Sequence, residues 1–324
     1  QRHEPPQRPE AAATLPDWPP VMPPPGVAVV PHACRGEHAD VSSAARTFNE
    51  LGLCIAESLL PPEFAVECCV HAQEAFDDLM REIDARGVVL GEKTKGGFRE
   101  IVKRTSGRYE MLYRMDEGIF ENAPGGTGKL ARALAATWLK PFLDATMGDD
   151  WRLMRQALLV SFPGSTEQQW HVDGDHLSRE RHLPCHAMNV FIALDEITQA
   201  MGPTELRPAS QFLTRDLKRQ LLLAKIKKRL HSTVQPGFKP GDACLFDYRT
   251  LHRGMPNVSD GVDAAAGDSC DWQDGMLWGS RPTQKWKGRA RPMLELTFAS
   301  SRYNDLLNFP PRSIFDSPPL RSST

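Results

Sequence analysis

Helical periodicity early in the chain, followed by short strand-like runs between turn signals, predicts a mainly β, α+β protein. The expected architecture is a β-sandwich or barrel buttressed on one face by N-terminal helices. Three observations carry this. Apolar residues recur at helical spacing from Phe64 to Ile83 and again from Leu130 to Met147. From Trp151 onward the pattern changes to runs bounded by Gly, Pro and Asp: Leu153 to Phe162, His186 to Leu194, Ala243 to Tyr248 and Arg291 to Ala299. No internal repeat breaks the order, and no apolar run approaches the roughly 18 residues that span a bilayer.

Taken in order, residues 1–41 read as an extended or disordered tail, because Pro5-Pro6, Pro19-Pro20 and Pro23-Pro24-Pro25 cannot join helix or sheet ladders. One domain is expected over 42–309, and a polar tail over 310–324. Phe48 to Ala56 reads as a short helix running into a strand. Pro61-Pro62-Glu63 opens a helix whose apolar face is expected at Val66, Val70, Ala75, Leu79 and Ile83. Phe98–Arg104 and Gly107–Met111 form a basic, strand-like region. Its Arg99, Lys103, Arg104, Arg108 and Arg114 allow an anionic substrate, or are simply solvated. A second helix is expected through Leu130, Leu134, Trp138, Leu139, Phe142 and Leu143. Arg215 to Leu230 reads as a basic helix with a solvated face. Residues 259–288 are an insertion rich in Gly, Asp and Ser with three tryptophans, Trp272, Trp278 and Trp286, and are a candidate lid over the substrate.

Hydrophobic content of 40% with 25% charged residues fits a soluble globular chain, and a net charge of −2 gives no reason to expect a nucleic-acid or membrane surface. The expected partner is a small molecule, and the expected state a monomer or weak dimer. Seven cysteines without CxxC spacing read as reduced thiols of a cytoplasmic protein. No signal peptide is visible; organelle targeting stays open, since the sequence starts at Gln1 without a methionine.

The chemistry is expected at Gln169-Trp170-His171-Val172-Asp173. In an extended strand His171 and Asp173 project to one side and Val172 to the other. With His252 from the distant Leu251-His252-Arg253-Gly254 segment they compose a two-histidine, one-carboxylate facial triad, the donor set of Fe(II) sites with open positions. The alternatives are a local zinc site drawing on His176, His182 or His186, and a metal-free polar strand.

These motifs, in this order, resemble the phytanoyl-CoA dioxygenase (PhyH-like) family of Fe(II)/2-oxoglutarate-dependent oxygenases. The resemblance runs from about Phe48 to Ala299. It rests on the Phe48–Ala56 and Leu59–Glu63 opening, on HxD at His171 and Asp173, on Gly202-Pro203-Thr204 to Pro208-Ala209-Ser210, and on Gly241-Asp242 followed by His252-Arg253-Gly254 and Asn257. It implies a double-stranded β-helix, a cupin-like jelly roll. It implies Fe(II), 2-oxoglutarate as cosubstrate and ascorbate as reductant. It places Arg291 on the far carboxylate of 2-oxoglutarate, with Arg281 and Arg289 as alternatives because the gap after His252 is longer than usual, and Phe191, Thr204 and Gln156 around the cosubstrate. Substrate contacts are expected at Arg104, Arg108, Trp170 and Trp278. The implied activity is hydroxylation, or another oxidation, of a small-molecule C–H bond. A protein side-chain hydroxylase of the same mechanism and a non-catalytic jelly-roll binding module are the other readings.

Overall fold

A computed structural model describes residues 33–35, 40–113, 128–178, 180–227, 230–259, 286, 289–305, 308 and 310–317. The expectations for Arg114, Trp272, Trp278, Arg281 and most of the 259–288 insertion lie outside these residues, as does most of the Pro-rich stretch.

A short strand β1 (Ala33–Arg35) precedes α1 (Val41–Leu51) and β2 (Leu53–Glu57). α1 starts where the Asp40 carboxylate accepts from the Ser43 N–H at 3.0 Å. It stops at Gly52, whose φ of 73° is left-handed, and where a Cβ would strike the side chains of Gln211 and Thr250. α2 (Pro62–Ala85) follows with proline in its first turn. Of the expected face, Ile83 is buried and Ala75 and Leu79 pack against the core, but Val66 and Val70 turn outward. Ala65, Cys68, Ala72, Phe76, Met80 and Ile83 are buried, whereas Val66 and Val70 are each 46% exposed. The anchor is Phe76, which packs against Tyr109, Phe162 and Trp286 with ring centroids 5.6–5.7 Å apart. Trp286 is thus a core residue.

After α3 (Lys93–Gly96) come β3 (Ile101–Thr105) and β4 (Arg108–Leu112), then two helices where one was expected: α4 (Lys129–Ala135) and α5 (Leu139–Met147). The break has a local cause. Pro141 has no N–H for the Thr137 carbonyl and its ring would clash there, so it is tolerated only in the first turn of a new helix. Thr137 caps that turn, its hydroxyl accepting from the Leu139 N–H at 3.2 Å.

The strands β5 (Trp151–Ser161), β6 (Ala187–Ala193), β7 (Thr204–Leu206), β8 (Ala243–Asp247), β9 (His252–Gly254) and β10 (Arg291–Ser300) complete the fold, with α6 (Leu217–Ile226) between β7 and β8. One sheet has the order β1-β2-β8-β6-β10-β5-β4-β3, antiparallel except at β1–β2. Facing it, β7 pairs with β9, and single bridges join His171 to His252 and Leu206 to Val234. These two walls make the jelly roll. β6 is buried at every position because both its faces are covered. Outward, Leu294, Leu296 and Phe298 of β10 join Phe48, Phe76 and Phe142 in one core beneath the helices. Inward, Arg291, Met293, Glu295 and Thr297 alternate with them and face the second sheet. The segment expected as a polar tail is docked over its first residues: Ile314 is fully buried, and the Ser313 hydroxyl and Ile314 N–H donate to Glu100 at 2.6 and 3.0 Å. Among the described residues no helix is long and apolar enough to cross a membrane.

Candidate active site

The expected motif strand is reduced to one antiparallel bridge. His171 and His252 exchange backbone N–H to carbonyl bonds, each 3.0 Å long, across the open end of the barrel. Beyond it, the Asp173 N–H donates to the Tyr248 carbonyl at 2.9 Å, which turns the carboxylate back toward the two imidazoles. His171 Nε2 lies 3.8 Å from Asp173 Oδ1, and His252 Nε2 lies 3.4 Å from Asp173 Oδ2. Ligand atoms of the three residues all fall within 4.8 Å of one another. A cation taking bonds of about 2 Å from each atom fits among donors this close.

The imidazoles are presented in the ligating form. His171 Nδ1 lies 2.8 Å from the Gln169 carbonyl and His252 Nδ1 lies 3.0 Å from the Thr250 carbonyl. A carbonyl only accepts, so each Nδ1 carries the proton and each Nε2 offers its lone pair. Burial pulls the His252 imidazole down to about 4, against the opposing pull of Asp173, so the ring stays neutral. Asp173 has its own partners: Asn189 Nδ2 donates to Oδ2 at 2.7 Å, and Asn308 Nδ2 donates to the main-chain carbonyl at 3.0 Å. Asn189 is in turn fixed by the Thr297 hydroxyl, which donates to its Oδ1 at 2.7 Å.

A cavity of about 470 Å³ opens on the triad, within the range of about 300–1,000 Å³ usual for small-molecule sites. Arg291, Phe191 and Thr204 line it, and so do Arg104 and Arg108. Arg291 is buried, and burial, then the charge of Arg108, hold its guanidinium well below the usual range. Phe191 packs edge-on against Phe246 with centroids 4.8 Å apart, and Phe246 lies 4.8 Å from the His252 ring. Arg104 is committed, its Nε donating to Glu110 at 2.6 Å. Glu295, two pleats along from Arg291, also faces the cavity; burial and the neighbouring Glu110 push its carboxyl well above the usual range. Asn189, Glu110, Glu295 and Thr297 were not singled out from the sequence. The available signal was the strand period: two residues from Phe191 leads to Asn189, and four from Arg291 leads to Glu295.

Other expected residues fall elsewhere. Gln156 is on the wrong face: it pairs with Leu296 and points into the helix-side core, whereas Arg155 and Leu159 face the cavity. Trp170 does not line the cavity; its ring lies between the guanidiniums of Arg207 and Arg253, 5.2 and 4.8 Å from its centroid. The local zinc reading does not survive. His176 Nε2 pairs with the Thr214 hydroxyl at 2.8 Å and its ring packs on His182, away from the group formed by His171, Asp173 and His252. Arg291, rather than Arg289, reaches the cavity.

A jelly roll holding two histidines and an aspartate at its open end, beside a buried arginine, is the arrangement of an iron- and 2-oxoglutarate-dependent oxygenase. The sequence model of the family described as Phytanoyl-CoA dioxygenase (PhyH) matches residues 48–264. The chain belongs to this family and is an enzyme of the Fe(II)/2-oxoglutarate oxygenase type. Solved structures with similar backbones include AviO1 from Streptomyces viridochromogenes Tue57, 17% identical, with 82% of this chain and 97% of that chain covered and a TM-score of 0.45. Two others are described as non-heme alpha ketoglutarate dependent enzymes from nogalamycin biosynthesis. The carbocyclase SnoK is 16% identical, with 80% and 83% covered and a TM-score of 0.46. The epimerase SnoN is 14% identical, with 81% of each chain covered and a TM-score of 0.48.

Proposed function

We propose that this enzyme oxidises a C–H bond of a small molecule, by hydroxylation, while 2-oxoglutarate is converted to succinate and CO2, with His171, Asp173 and His252 as the iron ligands. The supporting observation is the convergence of two imidazole Nε2 atoms and one carboxylate within 4.8 Å at the mouth of a cavity that also holds an arginine with no acidic partner among the described residues. Two nitrogen donors and one oxygen donor are a set that would suit Fe(II). Bound iron would supply the activation of O2, with two of the four electrons that reduce it coming from the oxidative decarboxylation of 2-oxoglutarate and two from the substrate C–H bond.

The chain's own residues do the rest. The Gln169 and Thr250 carbonyls hold both imidazoles in the ligating tautomer, and Asn189 holds the carboxylate. Arg291 would take the far carboxylate of 2-oxoglutarate by charge-assisted hydrogen bonding. Phe191 packs beside the cosubstrate, and Thr204 supplies a hydroxyl on the opposite wall. Ascorbate would serve as the reductant that keeps bound iron ferrous. The Arg104–Glu110–Glu295 wall offers the substrate polar groups of both signs, which favours a polar small molecule over a hydrocarbon.

The test is succinate formation from 2-oxoglutarate under Fe(II) and ascorbate, without added substrate. Wild-type protein is expected to form succinate slowly. His171→Ala and Asp173→Ala are expected to form none while keeping their circular dichroism. A metal-loaded variant that still turns over would overturn the ligand assignment, and absence of succinate from the wild type would favour a binding module.

A further inference from the structure

Ser161 of β5 stands between two arginines. Arg108 on β4 and Arg291 on β10 are both its cross-strand partners, so the three side chains leave the same face of the sheet. Both arginines are buried, at 3% and 5% exposure. Neither has a carboxylate partner among the described residues; what they have are carbonyls. Arg291 Nη1 donates to Gly202, and Arg108 Nη2 donates to Met255 and Thr166 at 2.7 and 3.3 Å. Arg291 Nε, Arg108 Nε and Arg108 Nη1 find no partner among the described residues. The chain has made room for this arrangement. A Cβ on Gly254 of β9 would run into the Arg108 guanidinium and the Gln168 side chain.

Two neighbouring guanidiniums out of water and without a counter-charge are an unfavourable state of a folded protein unless an anion completes them. A carboxylate has two oxygens and about four lone-pair directions, enough for two guanidinium edges at once. We propose that Arg108 and Arg291 together form a two-guanidinium seat for the distal carboxylate of a 2-oxo diacid, which makes Arg108 a second determinant of cosubstrate choice. This rests on the assignment of Arg291 to the cosubstrate given above. Such a seat would discriminate between oxo acids: one without the second carboxylate would leave both cations desolvated and unpaired.

The test is calorimetric binding to the anaerobic Fe(II)-loaded protein. The two probes are 2-oxoglutarate and 2-oxobutyrate, which share the metal-chelating end and differ at the far one. Arg108→Met is expected to weaken 2-oxoglutarate about 10- to 100-fold, the scale of a lost charge-assisted contact. It is expected to leave 2-oxobutyrate unchanged, so the preference between the two collapses; Arg108→Lys should restore part of it. A merely structural role through the Met255 carbonyl would weaken both probes alike and overturn the proposal, as would wild-type affinity for 2-oxoglutarate. Should Arg108→Met fail to fold, Arg108→Gln, which keeps a donor for that carbonyl, gives the same readout. Arg291→Met separates the two levels. If it binds 2-oxoglutarate normally, the underlying assignment fails; if it alone loses affinity while the Arg108 variants do not, only the shared seat fails.

Discussion

Asn189 holds Asp173 in place: its Nδ2 donates to Asp173 Oδ2 at 2.7 Å, and its own Oδ1 is held by the Thr297 hydroxyl at 2.7 Å. The chain Thr297–Asn189–Asp173 thus runs from the middle of the large sheet to the metal end of the barrel. Groups that orient a ligand typically carry about 10- to 100-fold in metal affinity. Asn189→Ala is expected to lower Fe(II) affinity by a factor in that range with the fold retained, measured by anaerobic metal titration. Unchanged affinity would show that the Tyr248 and Asn308 contacts suffice to hold the aspartate.

Much of this was legible in the sequence, and the reason differs by residue. His171, Asp173 and His252 sit in segments whose order along the chain is itself the signal. Arg291 could be read because an apolar strand directly follows it. Which face each strand residue takes was harder. Gln156 and Arg155 are neighbours, yet only Arg155 meets the cavity, and that parity depends on the pairing of β5 with β10 and its irregularity at Thr297 and Phe298. Arg108 could be read as one of a basic cluster, either facing a substrate or solvated; only the pairing of β4 with β5 sets it opposite Ser161 and beside Arg291.

The face of α2 gives a direct check on the same point. The valines Val66 and Val70 are more apolar than Ala65, Cys68 and Ala72, but the aromatic cluster around Phe76 decides the orientation, and the helix turns its valines outward. Phe76→Ala should cost about 3–5 kcal/mol, the usual penalty for deleting a buried ring. Val66→Ser should stay within about 0.5 kcal/mol of wild type, as surface changes do. Urea denaturation of the two variants measures this; a larger loss at Val66 would reject the observed face.

Asp247 and Arg249 form a buried pair at the end of β8, just before the turn that delivers His252. Arg249 Nη2 and Nε donate to the two Asp247 oxygens at 2.6 and 2.8 Å, and the side chains are 1% and 4% exposed. Burial alone would raise the Asp247 carboxyl; the guanidinium overrides it and holds it at about 2. Removing one partner strands a buried charge, which costs about 3–5 kcal/mol. Arg249→Met is expected to lose that much in chemical denaturation and to weaken metal binding with it. The double variant Asp247→Leu/Arg249→Met should recover most of the stability, because no charge is then left unpaired. A double variant no better than the single one would mean that the pair shapes the turn by its hydrogen bonds more than by its charge.

Acid should unfold the protein through its buried His186 and half-buried His176. Burial, then the charge of Arg249, hold the His186 imidazole down at about 4 and that of His176 at about 3. In the unfolded chain both titrate near 6.5. Above that value neither state takes a proton, and stability is indifferent to these groups. Below it the unfolded chain binds protons that the folded chain refuses, so stability falls as pH drops, at about 1.4 kcal/mol per pH unit per histidine. For His186, which is 4% exposed, the loss runs from pH 6.5 to about 4 and reaches about 3 kcal/mol. Urea midpoints of the metal-free protein at pH 7.5, 6.5, 5.5 and 4.5 measure it. Comparing wild type with His186→Leu cancels the contribution of His252. The variant is expected to lose the steepness of one histidine between pH 6.5 and 4.5, and parallel curves for the two proteins would show that His186 accepts its proton in the folded state.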